Sequence, residues 1–382
     1  MRQLPSLRQM VTQLVAIPSI SSVNPLFDQG NIAVIEQLAN WCEGVGFTCR
    51  IEPLPGVTGK ANLIAQLGAG EGGLVFAGHS DTVPCDPERW QGDPWVVREQ
   101  EGRLYGLGSC DMKSFFAVAL EAAAQLRGQR LRHPLYLVAT ADEESTMHGA
   151  KHLLREQQLQ ARYAVIGEPT EMVPIRLHKG ITMQQLRIVG RSGHSSDPAL
   201  GRSALEGMQQ ALTLLLAWRE SLQRRFPHPA FAVPHPTLNL GYIRGGDNPN
   251  RICGECLLHF DLRSVPPMVW SELRVELLER LQPTLSALEL EWSLDPLDVE
   301  VPPFETAAEA PLVQALERLS GRPAGSVAFA SEAPFLQQLG METVIFGPGE
   351  IAVAHRPEES IALQQLEQAA VLLERLAREL LE

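Results

Sequence analysis

The chain has 382 residues, 45% of them hydrophobic and 20% charged, with a formal charge of −13. That length exceeds a usual single core and suits two domains. The charge argues against a nucleic-acid or anionic-membrane partner, since both call for a basic face.

Six cysteines are too few for a disulfide framework at this length. The apolar run 211–218 is far shorter than the ~20 residues a membrane span needs. Residues 1–15 lack the apolar stretch of a signal peptide. A cytoplasmic protein is therefore expected.

In chain order, Leu7, Met10, Val11, Leu14 and Val15 recur at helical spacing, and Pro18 closes that helix. Ile32, Ile35, Leu38, Ala39 and Cys42 repeat the pattern before Gly44 and Gly46. Apolar runs at 62–67, 73–78, 135–140 and 163–167 predict strands, and 113–126 predicts a helix. Strands alternating with helices imply an α/β sheet covered on both faces. From about Ile181 the order becomes strand 181–189, helix 203–225, strands 237–242 and 252–263, helix 270–281 and strand 288–294. That β-α-β-β-α-β order is ferredoxin-like. Helix 311–319, strand 343–346 and a long helix from Ile361 return to the first pattern. The expected architecture is an α/β/α catalytic domain, 1–180 and 307–382, interrupted by a ferredoxin-like α+β domain, 181–306.

Chemistry-bearing residues cluster where predicted strands end, the usual site position in an open α/β sheet. His79 closes a strand and Asp81 comes two residues later; a metal-bound imidazole needs its second N–H held, often by a carboxylate. Asp111 comes after Gly106-Leu107-Gly108 at the head of a helix, where it would also serve as an N-cap. Glu143 and Glu144 lie just beyond strand 135–140, either as a solvated acidic loop or as a metal ligand beside a proton carrier. Glu168 lies beyond another strand, and His355 lies before the last helix within Ala354-His355-Arg356-Pro357-Glu358-Glu359. Each cluster is ambiguous alone. Together, two imidazoles and three carboxylates are what a dinuclear zinc site requires.

The stretches GHSDTVP, RLYGLGSCDMK, ATADEE, IGEPT and GPG resemble the dinuclear-zinc deacylases and exopeptidases that include aminoacylase, glutamate carboxypeptidase and succinyl-diaminopimelate desuccinylase. HKG, GHSSDPALG, GGDNPNRIC and SEAPF are similar to the bacterial branch that deacetylates N2-acetyl-L-ornithine in arginine biosynthesis. The resemblance covers nearly the whole chain. It implies a zinc-exopeptidase-like fold with an inserted dimerisation domain.

It also implies roles. His79 and Glu168 bind one metal, Glu144 and His355 the other, and Asp111 bridges; Asp81 orients His79. Glu143 is the general base for a hydroxide bridging two divalent ions, Zn²⁺ being expected and Co²⁺ able to substitute. His194 reaches the partner subunit's site in a homodimer to stabilise the oxyanion. Asn250 and Arg263 match positions that hold the substrate α-carboxylate. That branch usually reads His-Gln-Pro where this chain has His355-Arg356-Pro357.

Ornithine would be cationic, which makes Glu332 a candidate partner for its side chain; an acidic helix N-terminus is the alternative. Other readings are a desuccinylase, a broader N-acyl-amino-acid amidohydrolase or dipeptidase, and a non-catalytic binding homologue. Cys253-x-x-Cys256 has no second pair, and Gly106-x-Gly108 lacks a third glycine, so neither argues for zinc ribbon or NAD chemistry. The Pro-rich segment 226–236 reads as a surface turn.

Overall fold

The computed structural model describes residues 4–157 and 159–382. They form two compact units: the described residues up to Arg176 with Thr306–Gly325 and Ser331–Glu382, and Leu177–Glu305 with Ser326–Ala330.

The first unit is built on a mixed sheet. Its strands run in the order Thr48–Pro53, Ala61–Leu67, Leu135–Thr140, Leu74–His79, Tyr163–Ile166 and Glu342–Ile345. The last four are mutually parallel, and the first two are antiparallel to their neighbours. Side chains alternate across a strand, so each sheet face can be read separately. Leu74, Phe76, Leu135, Leu137, Tyr163 and Val165 join one apolar core with helices Leu7–Val15, Ile32–Val45, Lys113–Ala124, Pro311–Ser320 and Leu363–Leu381. Val75, Ala77, Val138, Ala164 and Ile166 alternate with them and are buried on the opposite face. Helices His148–Glu156 and Ala333–Gln338 pack against each other, and the second also packs on strand Glu342–Ile345. The result is the expected α/β/α layering. Each large side chain in these layers contributes roughly 1.5–3 kcal/mol by leaving water.

The second unit has the ferredoxin-like arrangement. Its antiparallel sheet runs Thr237–Gly245, Glu255–Arg263, Ile181–Val189, Glu291–Val301. Thr182, Gln184, Leu186 and Ile188 alternate inward along one central strand. Helices Ala204–Arg225 and Trp270–Ala287 cover the sheet through Leu215, Trp218, Leu277 and Leu281.

Three local expectations change. Helix Trp270–Ala287 continues through Pro283 rather than stopping at 281, because Leu285 is fully buried beyond it. The next strand accordingly starts later, at Glu291. The segment 226–236 is no free surface turn: Phe231 enters the core, and Lys179 Nζ donates to the carbonyls of Val233 and His235 at 2.9 and 2.7 Å.

Beside Lys179, His178 is fully buried with its ring 5.3 Å from Phe304, and among the described residues Nε2 has no partner. Burial pushes its pKa down to about 4. A histidine kept neutral in the fold loses stability once the unfolded chain can protonate, that is below about pH 6.5 and down to about pH 4. His178→Gln should therefore lose about 2 kcal/mol less unfolding free energy than wild type between pH 7 and pH 5. Parallel denaturant titrations at the two pH values check this, and identical losses would show that His178 does not titrate on unfolding.

Candidate metal centre

Three adjacent parallel strands bring the first candidate ligands together. Leu135–Thr140, Leu74–His79 and Tyr163–Ile166 run side by side, so the residues at their carboxyl ends must meet. Those residues are Asp142–Glu144, His79 and Glu168. Asp111 comes from the loop before helix Lys113–Ala124, and His355 from the loop before strand Ser360–Ala362. That strand pairs with Arg103–Tyr105, which ties the His355 loop to the Asp111 loop.

Glu359 completes the tie. Its Oε1 accepts the amides of Cys110 and Asp111 at 2.7 and 3.0 Å, and its Oε2 accepts that of Gly108 at 3.0 Å. Burial pushes Glu359 up to about 7, against the pull of those amides. It lies in a motif that draws notice for its histidine, and nothing local in the sequence distinguishes it from Glu358.

The distances form a continuous chain. His79 Nε2 lies 3.1 Å from Asp111 Oδ1 and 3.9 Å from Glu168 Oε1. His355 Nε2 lies 3.3 Å from Asp111 Oδ2 and 2.9 Å from Glu144 Oε1. Asp111 thus touches one imidazole with each oxygen. It is not a helix cap: Met112 occupies that position, without a side-chain cap bond. Ligand atoms of His79, Asp111 and Glu144 all fall within 4.8 Å of one another.

Asp81 takes a different geometry from the expected one. Its main-chain carbonyl lies 3.0 Å from His79 Nδ1, whereas its carboxylate Oδ1 stands 3.8 Å away, with no hydrogen bond among the described residues. The other oxygen, Oδ2, accepts the Glu144 amide at 3.1 Å. Asp81 thus holds the imidazole by its backbone and the Glu144 turn by its side chain.

The electrostatics call for cations. Burial pushes Glu143 and Glu168 well above the usual carboxylate range, opposed by His79 and reinforced by neighbouring carboxylates. Among the described residues, no lysine or arginine is one of the strongest influences on either. Burial likewise pushes Asp81 up to about 6. Hydrogen bonds to Asp111 and Glu144 hold His355 up at about 10. Burial alone would raise Asp111, yet bonds from His355 and His79 keep it well below normal. Both imidazoles are thus drawn towards a positive charge, in the space where divalent ions would supply one. Imidazole and carboxylate ligands of this geometry suit zinc-type ions.

A sequence model described as Peptidase family M20/M25/M40 matches residues 75–379. Acetylornithine deacetylase of Pasteurella multocida is 45% identical over 376 residues, 98% of each chain. The chain belongs to the M20/M25/M40 peptidase family. Among solved structures, aminopeptidase PepT of Bacillus cereus superposes with TM-score 0.78 at 21% identity, over 99% of each chain. A Bacillus subtilis protein described as a dinuclear metal binding peptidase of the M20 family gives 0.69 at 13% identity, over 97% of this chain and 96% of that one.

In this M20 chain the remaining candidates are spread more widely. Glu332 belongs to the first unit, 1% exposed, and neither carboxylate oxygen accepts an amide hydrogen bond among the described residues. It makes no side-chain cap on helix Ala333–Gln338. Burial pushes it up to about 7, opposed by Thr140 and His79. His194, Asn250 and Arg263 all lie in the second unit. His194 bridges to Arg251, and the Asn250 carbonyl accepts the Ser195 amide at 3.0 Å. Arg263, its Nε 2.8 Å from Asp261 Oδ2, closes strand Glu255–Arg263. That strand spans about 27 Å, and Asn250 lies before its far end. One copy of the chain therefore does not bring Asn250 and Arg263 onto the same carboxylate.

Cys253 and Cys256 are buried free thiols. Cys110 is also buried, its thiol pushed up strongly by burial.

A close backbone approach supports Glu168. A Cβ on Gly347 would lie 2.4 Å from Gly167 O and 2.5 Å from Glu168 O. Gly347→Ala should weaken the binding of one zinc ion by about tenfold or more, the size expected when a ligand's support is disturbed. Zinc titration by calorimetry measures this; wild-type affinity would mean the backbone yields without moving Glu168.

Proposed function

We propose that the chain hydrolyses N2-acetyl-L-ornithine to L-ornithine and acetate, a step of arginine biosynthesis, in the cytoplasm. The supporting observation is the 45% identity to a named acetylornithine deacetylase across 98% of both chains, together with the assembled His79, Asp111, Glu144 and His355 cluster. No described helix is long and apolar enough to cross a membrane, and the cysteines are free thiols.

His79 and Glu168 would hold one divalent ion and Glu144 and His355 the other, with Asp111 shared between them. Zinc fits this donor set, and cobalt can replace it. Two such ions acidify water and polarise an amide carbonyl. Glu143 is adjacent to the ligands but is not among their mutual contacts, which leaves its carboxylate to handle protons. It takes the proton of the attacking water and delivers one to the departing amine nitrogen, which would otherwise leave as an anion.

The chain acts as a homodimer in this reading. His194 of the partner subunit donates to the oxyanion, a contribution of roughly 2.7–4 kcal/mol for such a donor. Arg263 and Asn250 hold the α-carboxylate from different copies, consistent with their separation within one. Tyr242 and Ile243, exposed on the sheet's edge strand Thr237–Gly245, offer a surface for the second copy.

The deciding experiment is ornithine release from N2-acetylornithine by the zinc-loaded chain, with and without a chelator. Turnover that the chelator abolishes is expected; faster turnover of succinyl-diaminopimelate would overturn the substrate assignment. Glu143→Gln should lose about 10²–10⁴-fold in kcat while still binding two zinc ions, and near-normal kcat would remove Glu143 from proton transfer. Glu332→Gln should cost more kcat/KM on acetylornithine than on acetylmethionine. Equal losses would exclude Glu332 from recognising the cationic side chain.

A further inference from the structure

The turn that carries Glu143 and Glu144 begins in an unfavourable backbone conformation. Asp142 has φ 61°, left-handed for a residue other than glycine. Its carbonyl accepts the amides of Thr146 and Met147 at 3.0 and 2.7 Å, which closes the turn over the two glutamates. Something must hold Asp142 there, and two buried side chains, Lys60 and Ser21, bond its carboxylate.

Lys60 Nζ pairs with Asp142 Oδ1, and also with Asp28 Oδ1 at 2.7 Å. Ser21 Oγ donates to the same Asp142 oxygen at 2.8 Å and is hydrogen-bonded to Ser145 Oγ. Both residues flanking Glu143-Glu144 are thus tethered to Ser21. Asn62, two residues from Lys60, accepts the Ala141 amide and donates to the Gly149 carbonyl. Lys60 is 5% exposed and Asp142 4%. Neither touches the ligand cluster through its charged group, so neither is needed to bind metal.

We propose that Lys60 and Asp142 are a positioning pair for hydrolysis: their buried ion pair, closed over Ser21, sets the left-handed turn that aims Glu143. The inference rests on the reading of Glu143 as the proton carrier. A displacement of about 1 Å in a reacting group costs on the order of 10²-fold in rate, so loss of the pair should appear in kcat rather than KM.

The test compares Lys60→Met, Lys60→Arg and the double variant Lys60→Met/Asp142→Asn, all zinc-loaded, in wild-type and Glu143→Gln backgrounds. The double variant removes both partners of the ion pair, and it carries the test if Lys60→Met folds poorly. Expected are two bound zinc ions, a KM within about threefold of wild type, and a kcat lowered about 30- to 100-fold. Lys60→Arg should recover most of that loss. In the Glu143→Gln background, Lys60→Met should cost almost nothing further, because residues acting through one group are not additive.

Hydrogen exchange supplies a readout independent of substrate: the amides of Thr146 and Met147 should lose protection in Lys60→Met while the strand Leu135–Thr140 keeps its own. Wild-type kcat in a folded, zinc-loaded Lys60→Met variant would overturn the proposal, as would an undiminished loss in the Glu143→Gln background or unchanged protection of the two amides. An inactive wild-type chain would instead count against the deacetylase reading, with the exchange result still deciding whether the pair sets the turn.

Discussion

Mutual repulsion among buried carboxylates is the constraint on which the first unit depends. Asp81, Asp111, Glu143, Glu168 and Glu332 are all withdrawn from water, with His79 among them. Burying one ionised carboxylate unpaired is already expensive, and burying several close together is worse. Such a cluster persists only where positive charge arrives to neutralise it. The two imidazoles, whose pKa values these acids raise, offer part of it, and divalent ions would supply it more completely. This is why the donor set reads as a metal site on physical grounds as well as by family.

Topology explains how so much charge can be gathered without unravelling the sheet. The acids sit beyond the strand ends rather than within the strands, so the ladder from Leu74 to Ala77 stays apolar. Each loop is then held by backbone donors: amides of Gly108, Cys110 and Asp111 serve Glu359, and the Glu144 amide serves Asp81. A carboxylate that accepts amide hydrogen bonds loses less on burial than one that does not. Glu332 accepts no amide hydrogen bond among the described residues, and the Thr140 hydroxyl and His79 are what oppose its burial. A buried acid with so few donors is the feature expected of a group kept for a ligand rather than for the fold.

Several of the candidate ligands are legible in the sequence because they terminate apolar runs, and the run itself announces a strand. Leu74–His79 and Leu135–Thr140 are continuous apolar stretches, and the charged residues at and just beyond their ends stand out. The supporting residues are not legible for the opposite reason. Lys60 and Ser21 lie in polar stretches that resemble ordinary loop, and only the folded chain reveals that they are buried. Strand Thr48–Pro53 escapes a reading of the sequence for a related reason: it is an edge strand with no buried positions, so it carries no apolar run. The reverse holds at Pro283, where a strong local stop signal is overridden by the burial of Leu285. Tertiary packing outweighs a local helix preference, even one worth about 3 kcal/mol.

Strain marks the same loops. Asp142, Met147, His355 and Glu358 all take positive φ without being glycine, and each such residue costs on the order of 1–3 kcal/mol. Glycine at these positions would relieve the strain but would remove the side chain. At Asp142 and His355 the side chain is what the site uses, so the unfavourable backbone is retained and must be offset nearby. Asp142 is offset by the buried bonds from Lys60 and Ser21, which come from the chain itself. His355 is half exposed and is held through Glu144 and Asp111, the same groups that would face the ions. The two strained turns therefore differ in what stabilises them: the one bearing Glu143 is set by the fold, and the one bearing His355 depends on the charge at the centre.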